Sequence, residues 1–431
     1  MKKIPENLIK IENEYRTDIM FDGEDDSASD AKQEKLRIKQ WITSLLQSEN
    51  LSLLVGSGLT IAVSNICGIS SAGMDTCYEV IPETIRDSVK KRIKESASTL
   101  KRGKPNIEDQ IRVMSVAEEG LRAIGGEKSA DAISKGLEKL LEAFYNKLVN
   151  SEKELKAKLY KNDEGSNMSP MDYLVAFLSS FAFRSASRER LNIFTTNYER
   201  LLEHACDHAG IRVIDRFVGM LEPLFRSSRL ELDVHYNPPG IRGEPRYLDG
   251  VVKLCKLHGS LDWRYDPKLR VIKRTGIPFG SKHEINSDER VMIYPNSAKD
   301  RETAEYPYVD LFRDFAAAVC KPNSTLCIYG YGFGDEHINR IIEDMLTIPS
   351  AHLLIISHGD ESGRIKQFYD NCSHKSQISL LIGKQVGDLK FLVEELLPLQ
   401  SIDRILEVKH DTLKKKGETV KTEITEQGVP W

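Results

Sequence analysis

An apolar strand that stops at alternating glycines constrains the fold of this chain more than any other feature. Residues 326–329 read Leu-Cys-Ile-Tyr and run into Gly330-Tyr331-Gly332-Phe333-Gly334. Asp335, a residue type that favours helix N-caps, follows the turn, and apolar residues then recur at helical spacing as far as Met345. A strand, a glycine turn and a helix N-terminus in this order are typical of α/β folds whose backbone approaches a nucleotide closely.

Three other strand-like segments end in glycine or polar residues. They are 51–55 before Gly56-Ser57-Gly58, 191–195 before Thr196-Asn197-Tyr198, and 251–257 before His258-Gly259-Ser260. Open α/β sheets bind their ligands at the carboxyl ends of their strands. Because strands alternate with helices along the chain, the pattern predicts an α/β fold with a doubly wound, mainly parallel, Rossmann-like sheet.

Apolar periodicity and charge divide the chain into several parts. Residues 1–34 are acidic and polar, which predicts a mobile arm. Residues 71–188 contain several helical patterns but no strand-like run, which predicts a large helical insertion into a Rossmann-like domain at 35–70 and 189–399. Residues 400–431 are predicted to form a charged C-terminal tail. In the second half of the domain the predicted strands are 191–195, 251–257, 290–294, 325–329, 352–357 and 378–382.

Composition argues against several classes of protein. A net charge of −4 with 29% charged residues does not favour a nucleic-acid-binding surface, so we expect no direct sequence-specific binding to nucleic acid. No stretch approaches the roughly 20 apolar residues that span a bilayer, and the first residues lack the apolar segment of a signal peptide. Seven scattered cysteines are typical of a reducing compartment. A cytoplasmic protein without membrane contact is expected.

Asn197 and His258 are the strongest candidates for chemistry. Asn197 could simply cap the helix that follows it, and His258 could be a buried, hydrogen-bonded histidine. Each of them, however, follows an apolar strand at the edge where such sheets place their ligands. Asp262 and Asp335 are better interpreted as turn residues that bond backbone amides, and Trp263 as a packing residue.

Taken in order, these segments resemble the sirtuin superfamily. The turn at 56–58 is similar to the family's Gly-Ala-Gly phosphate loop, and residues 195–199 are similar to its Thr-Gln-Asn-Ile-Asp signature. Leu257-His258-Gly259 resembles the catalytic histidine motif, and residues 330–335 resemble the glycine turn of a bacterial sirtuin-like branch. The resemblance extends over about residues 36–70 and 170–360.

The chain also departs from the deacylating sirtuins. Their zinc ribbon is built from two Cys-x-x-Cys pairs, and no two cysteines of this sequence form such a pair. The Pro-Asp-Phe-Arg stretch that follows their phosphate loop is missing, and Glu199 stands where the signature has Asp. We therefore expect no metal, and a protein deacylase is disfavoured. The features that bind NAD and break its glycosidic bond are retained.

The resemblance implies an NAD hydrolase, with NAD as the substrate. Its nicotinamide–ribose bond breaks through an oxocarbenium-like state, as in glycoside hydrolysis. Asn197 is expected to orient the attacking water or the ribose hydroxyls, and His258 to act as the base. The residues expected to bind the rest of NAD are Gly56, Ser57, Gly58 and Thr60 at the diphosphate, Thr196 and Tyr198 beside Asn197, Gly330, Tyr331, Gly332 and Phe333 at the ribose, and Ser357 at another strand end.

The branch without a zinc ribbon contains NAD-depleting effectors of bacterial anti-phage defence. The size of the chain and its helical insertion are most similar to the sirtuin-like subunit encoded beside a HerA-family ATPase. A homo-oligomer with such a co-encoded partner is therefore expected. Helix positions such as Leu137, Leu140, Leu141 and Phe144 are candidates for its contacts. Two alternatives stay open: an NAD-dependent protein deacylase or ADP-ribosyltransferase, and a non-catalytic nucleotide sensor.

Overall fold

A computed structural model shows the fold of the chain. The structure describes residues 7–17, 21, 27–70, 73, 75–99, 105–162, 168–184, 188–228, 233–236, 246–248, 250–282, 290–292, 306–360 and 362–398. The predicted C-terminal tail lies outside the described residues. Among the described residues, no helix combines the length and the apolar character needed to cross a membrane.

The first half of the chain is mainly helical. Its elements are β1 (Asn7–Ile11), β2 (Glu14–Thr17), α1 (Ser27–Leu46), β3 (Asn50–Val55), α2 (Ser57–Ile66), α3 (Arg86–Thr99), α4 (Ile107–Ala123), α5 (Glu127–Lys158), α6 (Pro170–Ala182), β4 (Leu191–Thr195) and α7 (Leu201–Ala209).

The second half is richer in strands. It contains β5 (Arg212–Ile214), β6 (Phe217–Val218), β7 (Leu224–Phe225), β8 (His235–Tyr236), β9 (Arg246–Tyr247), β10 (Val251–Lys256), β11 (Gly259–Asp266), β12 (Val271–Arg274), β13 (Arg290–Met292), α8 (Tyr308–Val319), β14 (Ser324–Tyr329), α9 (Glu336–Leu346), β15 (His352–Ser357), α10 (Arg364–Asn371), β16 (Ile378–Gly383) and α11 (Leu389–Phe391). A π-helical turn at Leu392–Leu396 continues α11.

The large sheet has nine strands in the order β2-β1-β16-β15-β14-β3-β4-β10-β5. All neighbours from β16 to β5 are parallel, and at one edge β1 pairs antiparallel with both β16 and β2. The chain moves from β3 through β4 to β10 on one side, and then from β14 through β15 to β16 on the other. The strand order therefore reverses between β3 and β14, as it does at the ligand-binding crevice of Rossmann-like folds.

Helices cover both faces of this sheet, which agrees with the predicted doubly wound fold. One core contains buried residues of α1, α2, α6 and α7, among them Ile42, Val63, Phe177 and Leu202. The opposite core contains buried residues of α8, α9 and α10, among them Phe315, Ile342 and Phe368. Helix α6 falls within the region predicted as a helical insertion, but its apolar face packs in the core of the sheet.

Helices α3, α4 and α5 share a third core. Leu137, Leu140 and Phe144 of α5 are buried in it, and Leu141 is partly buried against it. The same core includes Tyr198, which directly follows Asn197, and it also includes side chains from the strand-rich half. These apolar positions of α5 are thus covered within the chain itself, so they do not need another subunit to bury them.

Two segments differ from the sequence-based expectations. Residues 7–17, expected to belong to a mobile arm, form a hairpin whose β1 pairs with β16. The sequence does not predict this strand because the charged residue Lys10 interrupts its apolar pattern. In the fold Lys10 is buried, and its ammonium group donates to the carbonyls of Lys375 and Ile378. The strand predicted at 290–294 does not join the large sheet; β13 pairs with β11 in a second sheet of order β13-β11-β12-β7-β6.

Candidate active site

The two glycine turns at the reversal of strand order pack backbone against backbone. The amide of Gly56 donates to Tyr329 O (3.1 Å), and the amide of Gly58 donates to Gly330 O (2.9 Å). A Cβ on Gly58 would lie 2.5 Å from Gly330 Cα, and a Cβ on Gly330 would lie 2.6 Å from Gly58 Cα. These distances are too short for any side chain, so the contact between β3 and β14 requires glycine in both turns.

This packing decides which parts of the turns are accessible. Ser57, the first residue of α2, is exposed. In the turn after β14, Gly332 is exposed, whereas Tyr331 and Phe333 are buried. The ring centroid of Phe333 lies 4.7 Å from that of Phe368 in the core of the sheet. The surface that a ligand could touch here is therefore mainly backbone.

Asn197 connects the end of β4 to the turn after β3. Its side-chain Nδ2 donates to Gly56 O (3.0 Å) and to Thr60 Oγ1 (3.2 Å). The Thr60 hydroxyl in turn donates to Glu199 Oε1. Both amide hydrogens of Asn197 are thus used within the chain, so its Oδ1 is the atom suited to accept a hydrogen bond from water or from a sugar hydroxyl. Thr196, between β4 and Asn197, is half-buried.

His258 lies two residues after β10 and is only 6% exposed. Its Nε2 is 3.0 Å from Oδ2 of Asp335, the residue that caps α9. The rings of Tyr198 and Phe312 flank the imidazole, each with its centroid 6.4 Å from that of His258. Because β3 and β4 separate β10 from β14 in the sheet, the contact between His258 and Asp335 spans the whole carboxyl edge of the site.

Buried charges hold the loop that carries Asn197. Glu152 of α5 is fully buried and accepts hydrogen bonds from the backbone amide (2.7 Å) and Nε (3.1 Å) of Arg200. Burial lowers the pKa of the Arg200 guanidinium, but the hydrogen bonds and attraction to Glu152 outweigh burial and raise it overall. Lys256, also buried, donates to the carbonyls of Tyr198 (3.3 Å) and Glu199 (2.6 Å).

Ser357 lies at the end of β15, on the far side of β14 from β3. Its hydroxyl donates to Gly359 O (2.8 Å). The structure therefore brings Gly56, Thr60 and Asn197 into direct contact, and places Ser357 farther along the same edge.

All seven cysteines are free thiols. Among the residues that the structure describes, no group of three or more His, Cys, Asp or Glu side chains could hold a metal ion.

Comparison with known families gives one match. Residues 191–378 match the family model described as a SIR2-like domain. This part of the chain is similar to SIR2-like domains. Such domains bind NAD and are typically NAD-dependent enzymes. The match includes Asn197, His258 and the glycine turn after β14, whereas the turn after β3 lies before it. No curated protein matches the chain.

Three contributors to the site were not recognised in the sequence. The sequence predicts a turn role for Asp335, which in the structure also contacts His258. Glu152 stands among Leu148, Val149 and Leu155, where helical spacing calls for an apolar residue, and that irregularity was the available signal. Arg364 of α10 places its guanidinium beside the turn, with Nη1 2.7 Å from where a Cβ on Gly334 would lie. No local pattern indicates that last contact.

Proposed function

We propose that this chain is an NAD glycohydrolase that cleaves the nicotinamide–ribose bond to give ADP-ribose and nicotinamide. The observation that carries the proposal is the meeting of Asn197, Thr60 and the two glycine turns at the reversal of strand order, with His258 on the same edge. The SIR2-like match of residues 191–378 supports NAD as the substrate.

The geometry suggests how NAD would be held. Its diphosphate would lie over the turns after β3 and β14, at the N-terminus of α2, where helix dipole and hydroxyl donors favour an anion. Ser57 is exposed at that N-terminus, and the Arg364 guanidinium adds positive charge beside the glycines after β14. The nicotinamide ribose would then reach Asn197 and His258.

The reaction follows from these positions. The bond between nicotinamide nitrogen and ribose C1′ breaks, the ribose becomes oxocarbenium-like, and a water oxygen bonds to C1′. Nicotinamide leaves with the bonding electron pair, and the water gives up one proton. Asn197 Oδ1 orients the water or a ribose hydroxyl, and His258 accepts the proton.

Replacing either residue tests this assignment. We expect both Asn197→Ala and His258→Ala to lower turnover strongly; the loss of a placed general base typically lowers it by about 10²–10⁴-fold. Asn192→Ala, on the strand that leads to Asn197, and His374→Ala, at an exposed position, serve as matched controls. NAD turnover is measured by mass spectrometry of the products, and thermal melting checks the fold. Turnover near wild type in both site variants would refute the assignment.

The products also separate hydrolysis from transfer. Free ADP-ribose supports hydrolysis to water. Acetyl-ADP-ribose or an ADP-ribosylated protein would indicate a deacylase or a transferase that uses the same pocket. Binding of NAD without any product would indicate a nucleotide sensor.

The biological setting is proposed from the resemblance to the sirtuin-like branch without a zinc ribbon. There the chain would act as a homo-oligomer in the cytoplasm, deplete NAD during phage infection, and respond to a co-encoded HerA-family ATPase. Light scattering and co-purification with the neighbouring gene product test this proposal. A stable monomer with full activity and no response to that partner would contradict it.

A further inference from the structure

We propose that Asp335 is a positioning residue that holds the proton of neutral His258 on Nε2, which leaves Nδ1 as the basic nitrogen. The inference rests on the proposed function for its catalytic consequence, but it concerns a property of the ring that is measurable without turnover. The sequence alone predicts only a turn role for Asp335.

Each carboxylate oxygen of Asp335 contacts a different partner. Its Oδ1 accepts from the backbone amide of His337 (3.1 Å), which caps α9. Its Oδ2 lies 3.0 Å from Nε2 of His258. The cap fixes the plane of the carboxylate on the first turn of an eleven-residue helix, so Oδ2 is presented in one direction. Asp335 is 5% exposed, so little water competes for that oxygen.

The backbone around Asp335 is held as well. The backbone amide of Asp335 donates to the Tyr331 hydroxyl (3.2 Å). The same hydroxyl lies 3.1 Å from two acceptors, Asp335 O and Asn339 Oδ1. Asn339 Nδ2 donates to Phe333 O (3.2 Å). The turn after β14 is thereby tied to α9 through the buried Tyr331.

An ionised carboxylate only accepts hydrogen bonds. A neutral imidazole beside it therefore places its single N–H on the nitrogen that faces the carboxylate, here Nε2. The other nitrogen, Nδ1, keeps its lone pair and can take the proton from the attacking water. In this arrangement Asp335 acts through His258 and need not touch NAD.

Asp335→Asn separates the two roles of the residue. Asn also caps helices well, and its Oδ1 can still accept from the His337 amide. Its NH₂ group then faces His258 and donates to Nε2, which forces the ring proton to Nδ1, the wrong nitrogen for catalysis. The matched control is Asp388→Asn, because Asp388 caps α11 in the same way, through the Phe391 amide (2.9 Å).

The first measurement is steady-state kinetics of the full-length chain, in the same assembly in which the wild type turns over NAD. Asp335→Asn is expected to lower kcat by roughly 10²–10⁴-fold with KM changed less than about threefold, as for other carboxylate-oriented histidines. Asp388→Asn is expected to keep wild-type kcat. A kcat for Asp335→Asn within about threefold of the wild type would overturn the inference.

The second measurement is ¹⁵N NMR of histidine-labelled protein, with the His258 signals assigned from a His258→Gln variant. With the ring neutral, we expect the proton on Nε2 in the wild type and on Nδ1 in Asp335→Asn. A wild-type ring with its proton on Nδ1 would refute the inference even if kcat falls. If instead Asn197→Ala and His258→Ala both retain turnover, the proposed active site fails, while the NMR result still decides the role of Asp335.

Discussion

The two halves of the candidate site are built by different means. On the side of β3 and β14, the turns contact each other through backbone atoms alone, with Gly58 Cα and Gly330 close enough to exclude any side chain. On the side of β4 and β10, buried charges hold the loops: Glu152 binds Arg200, and Lys256 binds the carbonyls after Asn197. Asn197 joins the halves through its bonds to Gly56 O and Thr60.

The difference shows what each half is suited to do. A diphosphate needs a close approach to the backbone at a helix N-terminus, and glycine turns leave room for it because they carry no side chains. A water molecule and a ribose need side chains in set positions, and buried ion pairs with several hydrogen bonds restrict their loops. Because Glu152 belongs to α5, the second half also depends on a helix outside the large sheet.

The largest effect is expected for Glu152→Ala. It leaves the Arg200 guanidinium buried without its carboxylate, which should lower the free energy of unfolding by about 3–5 kcal/mol and reduce NAD turnover as the Asn197 loop loosens. Asp131→Ala on the same helix is the control, because Asp131 is 60% exposed where it pairs with Arg122, and such surface pairs contribute about 0–1 kcal/mol. Chemical denaturation and turnover are measured for both. Equal losses would mean that the buried pair does not hold this half.

Gly330→Ala tests the other half. Gly330 (φ +64°) and Gly210 (φ +67°) both have left-handed backbones, but only Gly330 has backbone within 3 Å of a new Cβ, whereas nothing lies within 4 Å at Gly210. The left-handed backbone lowers the free energy of unfolding of both variants by about 1 kcal/mol. Overpacking lowers that of Gly330→Ala by a further amount of about 1–3 kcal/mol. We expect Gly330→Ala also to lose turnover. If the two variants melt alike, the turns after β3 and β14 are not in close contact.

A smaller effect, dependent on pH, is expected away from the site. His352 begins β15, and its Nε2 lies 2.9 Å from Ser379 Oγ. Burial, helped by the charge of Lys10, lowers its pKa from 6.5 to about 4. The folded state disfavours the protonated ring, so this stability is present above pH 6.5 and is lost as pH falls toward 4, by about 2 kcal/mol at pH 5.

His352→Gln should flatten that part of the pH dependence, as followed by chemical denaturation between pH 7 and pH 4.5. A flatter pH dependence in the variant would mean that the loss of folding stability in acid comes from His352, which is neutral in the fold. It would then not come from the ion pairs beside Asn197. An unchanged slope in the variant would show that His352 does not cause the acid sensitivity.

Local patterns in the sequence predict six of the nine strands of the large sheet, β3, β4, β10, β14, β15 and β16, and the order of the polar residues at their ends. The strand predicted at 191–195 agrees with β4, and that at 352–357 agrees with β15. An apolar run bounded by glycine or polar residues is a local signal for a buried strand, and each strand of a buried parallel sheet carries this signal. Similarity of residues 191–378 to SIR2-like domains agrees with the motifs quoted from that stretch.

Which of those residues meet depends on the tertiary fold. The contact between His258 and Asp335 joins positions 77 residues apart, and that between Glu152 and Arg200 joins positions 48 apart. Strand order and helix placement create these contacts, and no local pattern encodes them. The same reason explains the hairpin at β1 and β2 and the placement of β13 in a second sheet: a short strand that contains a charged residue is stabilised by the neighbours it meets, here β16 and β11.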